Sequence, residues 1–214
     1  MENKGSNLRQ IAYDGLRQMI LDGTLKPGEP LVEKELMARL NVGRMPLRDA
    51  MQQLQAEDAL EIFPRCGTFM RPLNAEDIVA LYQARLVLEP EIARIATPTA
   101  EKTMLGMFRD IFAGDGSRDA MIQQDVNFHR FLCQSTRNRY FKRAMEVICF
   151  QDQRIRMRSS WAVEDLSQSN RAHIGIIDCM LRGDAGGAGN AMREHILQSQ
   201  DTALSLIIHQ DTPI

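Results

Sequence analysis

Asp125 and His129 stand one helical turn apart in a segment whose apolar residues, Ile122, Val126 and Cys133 among them, repeat at helical spacing. A carboxylate and an imidazole therefore share an inward face. An ionised carboxylate in an apolar stripe is costly unless something positive meets it. Two further histidines fall on the apolar sides of later helical segments: His173 in line with Leu166, Ile177 and Met180, and His195 near Met192 and Leu206. Three imidazoles and one carboxylate converging from three helices suit a divalent transition metal such as zinc, nickel or manganese, with positions left open for water or a ligand. For any one of these histidines taken singly, a hydrogen-bonded core residue is the competing reading.

Arg85 is the next residue out of place. Ile78, Leu81, Leu88, Ile92 and Ile95 form a helical stripe with Arg85 in its middle. A guanidinium there needs a carboxylate, for which a bidentate partner is the natural choice. That partner is either a bound effector or Glu89, one turn on, unless the side chain snorkels to the surface. Arg154, and with it Arg158 in the run RIRMR, is a weaker instance that also reads as a solvated basic face. A metal position and buried arginines together favour a small organic acid over a long apolar chain.

A different chemistry is written nearer the N-terminus. Pro46 is tolerated only in the first turn of a helix, so that helix begins near Arg44. At about 100° per residue, Leu47, Ala50 and Leu54 share one face while Arg44, Arg48, Gln52 and Gln55 share another. Two arginines projecting from the leading end of a helix match the readers of a recognition helix, where Arg on guanine is the commonest specific contact. Arg65 and Gly67 sit where a hairpin tip approaches a phosphate backbone, and Lys34 opens the preceding helix.

The elements that must position these residues follow from periodicity and punctuation. Helices are expected over Leu8–Leu21, Val32–Leu40 and Arg44 to about Glu57, followed by a hairpin within Ala59–Leu73 around Pro64-Arg65-Cys66-Gly67. This is the layout of a winged helix-turn-helix. From Asn74 onward six amphipathic segments, near 75–96, 100–113, 118–135, 139–160, 165–183 and 187–209, predict an antiparallel helical bundle. The expected class is mainly α, with a DNA-binding domain over 1–73 and an effector- and metal-binding domain over 74–214. Asn74 is placed to cap the first helix of the bundle. The thirteen methionines lie mostly at helical spacing and read as core fillers.

Composition bounds the alternatives. With 44% hydrophobic and 25% charged residues the chain is that of a globular protein, and no apolar run approaches the length of a membrane span. Cys66, Cys133, Cys149 and Cys179 form no CxxC pair, which argues against a zinc ribbon or disulfide framework and for a reduced, cytoplasmic setting. Residues 1–73 carry ten Lys/Arg against ten Asp/Glu, so bulk charge does not announce nucleic acid. Placement of the basic residues has to carry that inference.

The stretch LKPGEPLVEKELMARLNVGRMPLRDAMQQLQAEDALEIFPRCGTFM closely resembles the winged helix of GntR family regulators: the PG turn, the E-x-x-L helix, the R-x-P-L-R-D-A run and the R-x-G wing stand in order. The resemblance implies that Arg44 and Arg48 read bases and phosphates, with Lys34, Arg65 and Gly67 in support. Gly43 and Met45 depart from the pattern, where small hydroxyl residues are more usual. The second half resembles the effector domain of the FadR branch, in its shorter VanR-like form. Metal-binding members of that branch carry D-x-x-x-H on one helix and single histidines on the last two, positions matched by Asp125, His129, His173 and His195. An R-x-x-x-E at Arg85 is shared as well. The implied protein is a homodimeric, ligand-responsive regulator on a double-stranded DNA operator, not an enzyme. A helical metallohydrolase and a regulator with a purely structural metal are the alternatives.

Overall fold

A computed structural model describes residues 4–158 and 163–208. The chain divides between Leu73 and Asn74 into two compact units.

The first unit holds α1 (Lys4–Leu21), α2 (Glu33–Leu40), α3 (Arg44–Ala56), β1 (Leu60–Phe63) and β2 (Gly67–Met70). Its core is made by Ala12, Leu16 and Ile20 of α1, Leu36 of α2, and Leu47, Ala50, Met51 and Leu54 of α3. Between α2 and α3 the chain turns through Asn41, which takes the left-handed conformation at φ 52°. Asn is among the few non-glycine residues that tolerate this region. The antiparallel hairpin pairs Leu60 with Met70 and Phe63 with Gly67. Its three-residue loop places Arg65 at φ 66°. The segment from Gly28 to Leu31 lines the outer edge of β2: Gly28 and Leu31 donate their N–H groups to Met70 and Thr68 carbonyls, and Pro30 bridges to Phe69.

The second unit contains α4 (Ala75–Ala96), α5 (Lys102–Ala113), α6 (Arg118–Ser135), α7 (Arg139–Arg158), α8 (Val163–Leu181) and α9 (Ala185–Ile208). Asn74 caps α4 by accepting from Asp77 N–H while the Asp77 side chain accepts from Asn74 N–H, a reciprocal capping box. Ser117 and Asn138 accept from the first turns of α6 and α7. Of the two glycine breaks that the sequence offers here, Gly183 at φ 77° makes the turn, and Gly186 and Gly187 lie in the first turn of α9. Asp184 takes the Gly187 N–H at 2.8 Å and so starts that helix earlier than apolar spacing suggests.

Pro90 lies inside α4 and its ring is buried. The glycine-rich start of α9 packs there: a Cβ at Gly189 would stand 3.0 Å from the Pro90 carbonyl oxygen. The buried face of α4 runs through Ile78, Tyr82, Arg85, Glu89, Ile92 and Ala96, and Ile95, expected in the stripe, is exposed. The helix is rotated so that Arg85 and Glu89 both face inward.

Candidate functional site

Each residue of the acid–histidine cluster comes from a core-facing position. Asp125 and His129 lie one turn apart on α6 beside buried Ile122, Val126 and Leu132; His173 lies on α8 beside Ile176 and Ile177; His195 lies on α9 beside Met192 and Ile196. One ligand atom from each of the four falls within 4.8 Å of the others, and all four residues are buried. His129 Nε2 is 3.3 Å from His173 Nε2 and 3.9 Å from an Asp125 oxygen, while His173 Nε2 is 3.4 Å from the other Asp125 oxygen. Such separations suit atoms sharing one ion, with each bond near 2.0–2.2 Å. Among the described residues, both ring nitrogens of His195 and Nδ1 of His173 are buried without a hydrogen-bond partner. A buried polar atom without a partner is costly, and a cation among these lone pairs would satisfy them.

A second set of charges surrounds the cluster. Glu89 of α4 pairs through Oε2 with His129 Nδ1 and through Oε1, at 2.6 Å, with Arg85 Nε. Asp152 of α7 accepts from Arg85 Nη1 at 2.5 Å, Arg156 Nε at 2.8 Å and the Tyr82 hydroxyl at 3.0 Å. Arg156 Nη1 closes the ring on Asp125 at 3.1 Å, and Ser169 of α8 donates to the same carboxylate at 3.4 Å. Each buried charge thus meets an opposite one, the condition under which burial is tolerated.

These neighbours set the protonation states. Burial would raise the Glu89 carboxyl, but Arg85 and His129 outweigh it and hold it down at about 2. Asp125 is likewise held below the carboxylate range, burial being overcome by Arg156 and the histidines. Burial pushes His173 down to about 3 and His195 well below its ordinary value. Both are then neutral imidazoles at neutral pH, the form that coordinates. His129 is raised, since Glu89 outweighs its burial. With Nδ1 on Glu89, it turns Nε2 toward the cluster.

Of two hollows in this unit, one borders the cluster directly and the other is set apart from it by Phe112. One, bounded by Arg85, Glu89, Asp125, His129, Cys149 and Asp152, is about 10 Å³, room for a single water. The other, about 150 Å³, lies at the α5–α6 turn, bounded by Phe112, Met121, Gln124 and Asn170. Phe112 stacks on His173 with ring centroids 4.6 Å apart.

In the first unit Arg44, Met45, Arg48, Gln52 and Gln55 are exposed along one side of α3, opposite its buried Leu47, Ala50 and Leu54. Arg44 Nε and Arg48 Nε lie 3.2 and 2.9 Å from the two carboxylate oxygens of Glu33 on α2. Lys34, Arg65 and Gly67 are exposed, Arg65 in the hairpin turn and Gly67, at φ 127°, opening β2 directly after it.

The profile of bacterial regulatory proteins of the gntR family matches residues 8–70, and that of the FCD domain matches residues 80–198. This chain belongs to the GntR family of transcriptional regulators, with an FCD effector domain. It is 31% identical over 156 residues to the Nta operon transcriptional regulator of Aminobacter aminovorans, covering 70% of this chain and 73% of that one. It is 29% identical over 143 residues, 64% of each chain, to the HTH-type regulator YdhC of Bacillus subtilis. The regulator's fold is shared with E. coli McbR/YncC, at a TM-score of 0.80 and 16% identity over 92% of this chain and 97% of that one. Family and relatives are transcriptional regulators and not enzymes. No helix among the described residues is long and apolar enough to cross a membrane.

Asp125, His129, His173 and His195 are brought together in the regulator, and Arg85 stands beside them, already engaged by Glu89 and Asp152. Arg154 is also buried, on α7, where Nη1 donates to Gln151 at 2.6 Å. It is therefore no solvated basic face. The side chain of Arg158 lies outside the described residues. The ring of Glu89, Asp152, Arg156 and Tyr82 was not singled out from sequence as part of the site. Its signals were the one-turn spacing of Arg85 with Glu89 and of Asp152 with Arg156 on otherwise apolar faces.

Proposed function

We propose that this regulator is a homodimer whose operator binding is controlled by a small organic acid, held at a divalent transition metal (zinc, nickel or manganese) on Asp125, His129, His173 and His195. The observation that carries the metal is His195, whose two buried ring nitrogens have no hydrogen-bond partner among the described residues and lie within a set of donors spanning 4.8 Å. Three imidazoles and one carboxylate leave part of a five- or six-coordinate shell for an anionic oxygen. Arg85 and Arg156 orient the carboxylates around the cluster. Counting the imidazoles as neutral, Glu89, Asp125 and Asp152 exceed Arg85 and Arg156 by one negative charge. A divalent ion, whose coordination keeps the imidazoles neutral, brings these five charges to a balance of one positive charge, which a monoanion would neutralise. Arg85 has Nε and Nη1 engaged by Glu89 and Asp152, and Arg154 has Nη1 on Gln151.

On the DNA side, Arg44 and Arg48 read base edges, and Lys34, Arg65 and Gly67 meet the phosphate backbone. What supports this is the exposed basic face on a helix whose other side is core. A dimer matches two half-sites about one helical turn, roughly 34 Å, apart. An effector controls this only through a difference in affinity between DNA-competent and incompetent arrangements.

A second reading, a purely structural metal, is favoured by the internal pairing of both arginines. The experiment that separates the two is titration of metal-loaded full-length protein with dicarboxylates, hydroxy acids and sugar acids, followed by operator affinity. An acid that binds only the metal-loaded form and shifts operator affinity supports control by an effector. Metal-dependent folding with operator affinity indifferent to every acid supports the structural role.

A further inference from the structure

We infer that Glu33 is a positioning residue for base discrimination: its carboxylate holds the guanidinium groups of Arg44 and Arg48 in one arrangement on the exposed side of α3. The inference rests on the reading that α3 enters the major groove.

Glu33 occupies the first turn of α2, whose place is fixed by burial of Leu36 and by the Asn41 turn into α3. Its two oxygens are divided between two arginines from successive turns of the neighbouring helix, Oε2 on Arg44 and Oε1 on Arg48. Among the described residues these are the ion pairs of both arginines. In each the nearest atom is Nε, on the stem side of the guanidinium. A carboxylate there occupies the side edge of the fork and leaves the Nη1–Nη2 edge for the bidentate contact that guanine O6 and N7 accept.

Stability does not account for the arrangement. The side chains are 66% and 53% exposed for Arg44 and Arg48 and 28% for Glu33, and exposed ion pairs contribute little to folding. Their consequence falls on binding. A free arginine loses rotamer freedom when it docks, and one already held loses less. The carboxylate also cancels one of two positive charges facing the groove, which weakens sequence-independent attraction to phosphates. Both effects act in one direction: less affinity for any duplex, more for the duplex whose bases meet two correctly oriented forks.

The test uses full-length protein and an operator obtained by in vitro selection with the wild type. Wild type, Glu33→Asp, Glu33→Ala, Arg48→Ala and Glu33→Ala in an Arg44→Ala/Arg48→Ala background are measured on the operator, its single-base variants and random duplex, across a salt series. Aspartate keeps an acid in the first turn of α2, where it suits the helix dipole, yet is too short to span both arginines. Both Glu33 variants should lose about tenfold in discrimination at the operator guanines, within the worth of one bidentate contact, while binding random duplex as well as or better than the wild type. In the double-arginine background removal of Glu33 should change discrimination no further. Wild-type discrimination in both Glu33 variants, alongside its loss in Arg48→Ala, overturns the positioning role and leaves the α3 reading standing. Retained discrimination in Arg48→Ala overturns that reading itself. A loss confined to one cytosine position, undiminished in the double-arginine background, makes Glu33 a direct reader and overturns the inference. If Glu33→Ala melts lower than the wild type, Glu33→Asp decides.

Discussion

Glu89 fixes the ring of His129: its carboxylate takes Nδ1, and Nε2 is thereby turned toward Asp125 and His173. A carboxylate behind a coordinating histidine sets tautomer and orientation, and its loss typically lowers metal affinity about 10–100-fold. Glu89→Gln should therefore weaken zinc or manganese binding by about that factor, read by chelator competition. Unchanged affinity would show that the cluster is oriented by something else.

Removing a ligand should couple metal loss to stability. A metal that binds only the folded state contributes about 2.7 kcal/mol when present at 100 times its dissociation constant. His173→Ala and His195→Ala should each lose bound metal and the part of the melting temperature that a chelator removes from the wild type. Metal content equal to wild type in both variants would place the site elsewhere.

Arg85 tests the internal pairing. Truncation to Ala leaves Glu89 and Asp152 short of a buried partner, and breaking such a pair costs about 3–5 kcal/mol. Arg85→Ala should lose unfolding free energy of that order, read from denaturant curves before any effector is added. A fully stable Arg85→Ala variant that has lost only acid binding would instead make Arg85 the effector's anchor.

Met45 is 68% exposed between Arg44 and Arg48 on the outward side of α3. The thymine methyl is the apolar feature of the major-groove edge. Replacing operator thymines one at a time with deoxyuridine should weaken wild-type binding at a particular position, by about 1 kcal/mol for one buried methyl-sized contact. Met45→Ala should be indifferent to that replacement. Equal sensitivity in both proteins would exclude Met45 as the contact.

Tyr13 braces α1 against the end of α3, donating to Glu57 at 2.8 Å while Arg17 donates to it at 2.9 Å. Burial and the Glu57 carboxylate push its hydroxyl up to about 12. A group raised in the folded state stabilises fully below its unfolded value of 10.0, and that contribution is lost as pH rises from there through about 12. Tyr13→Phe should cost about 1 kcal/mol at neutral pH, the worth of one such hydrogen bond, and flatten the alkaline decline in melting temperature. An unchanged alkaline limb would assign the decline to other groups.

Sequence carried the elements further than the charges. Pro46 alone set the start of α3, and Asn74 announced the cap of α4, because each acts through its own backbone. Asp125, His129, His173 and His195 could be drawn to one interior because each lay on an apolar stripe. The ring of Glu89, Asp152 and Arg156 was harder to see, since it pairs α4, α6 and α7 across the bundle and depends on how each helix is rotated. Arg154 and Arg156, two residues apart, point different ways on a helix, yet both are buried because α7 is enclosed around Gln151–Arg156. No stripe on a single helix encodes that.

Gly189 has a consequence beyond close packing. With its missing Cβ 3.0 Å from the Pro90 carbonyl, it acts as a thickness gauge between α4 and α9, the helices that carry Glu89 and His195. One added methyl would wedge them apart by a few tenths of an ångström, comparable with the tolerance of a metal–nitrogen bond. The affinity of the cluster can therefore be tuned at a residue that touches none of its donors, by the width of a gap alone.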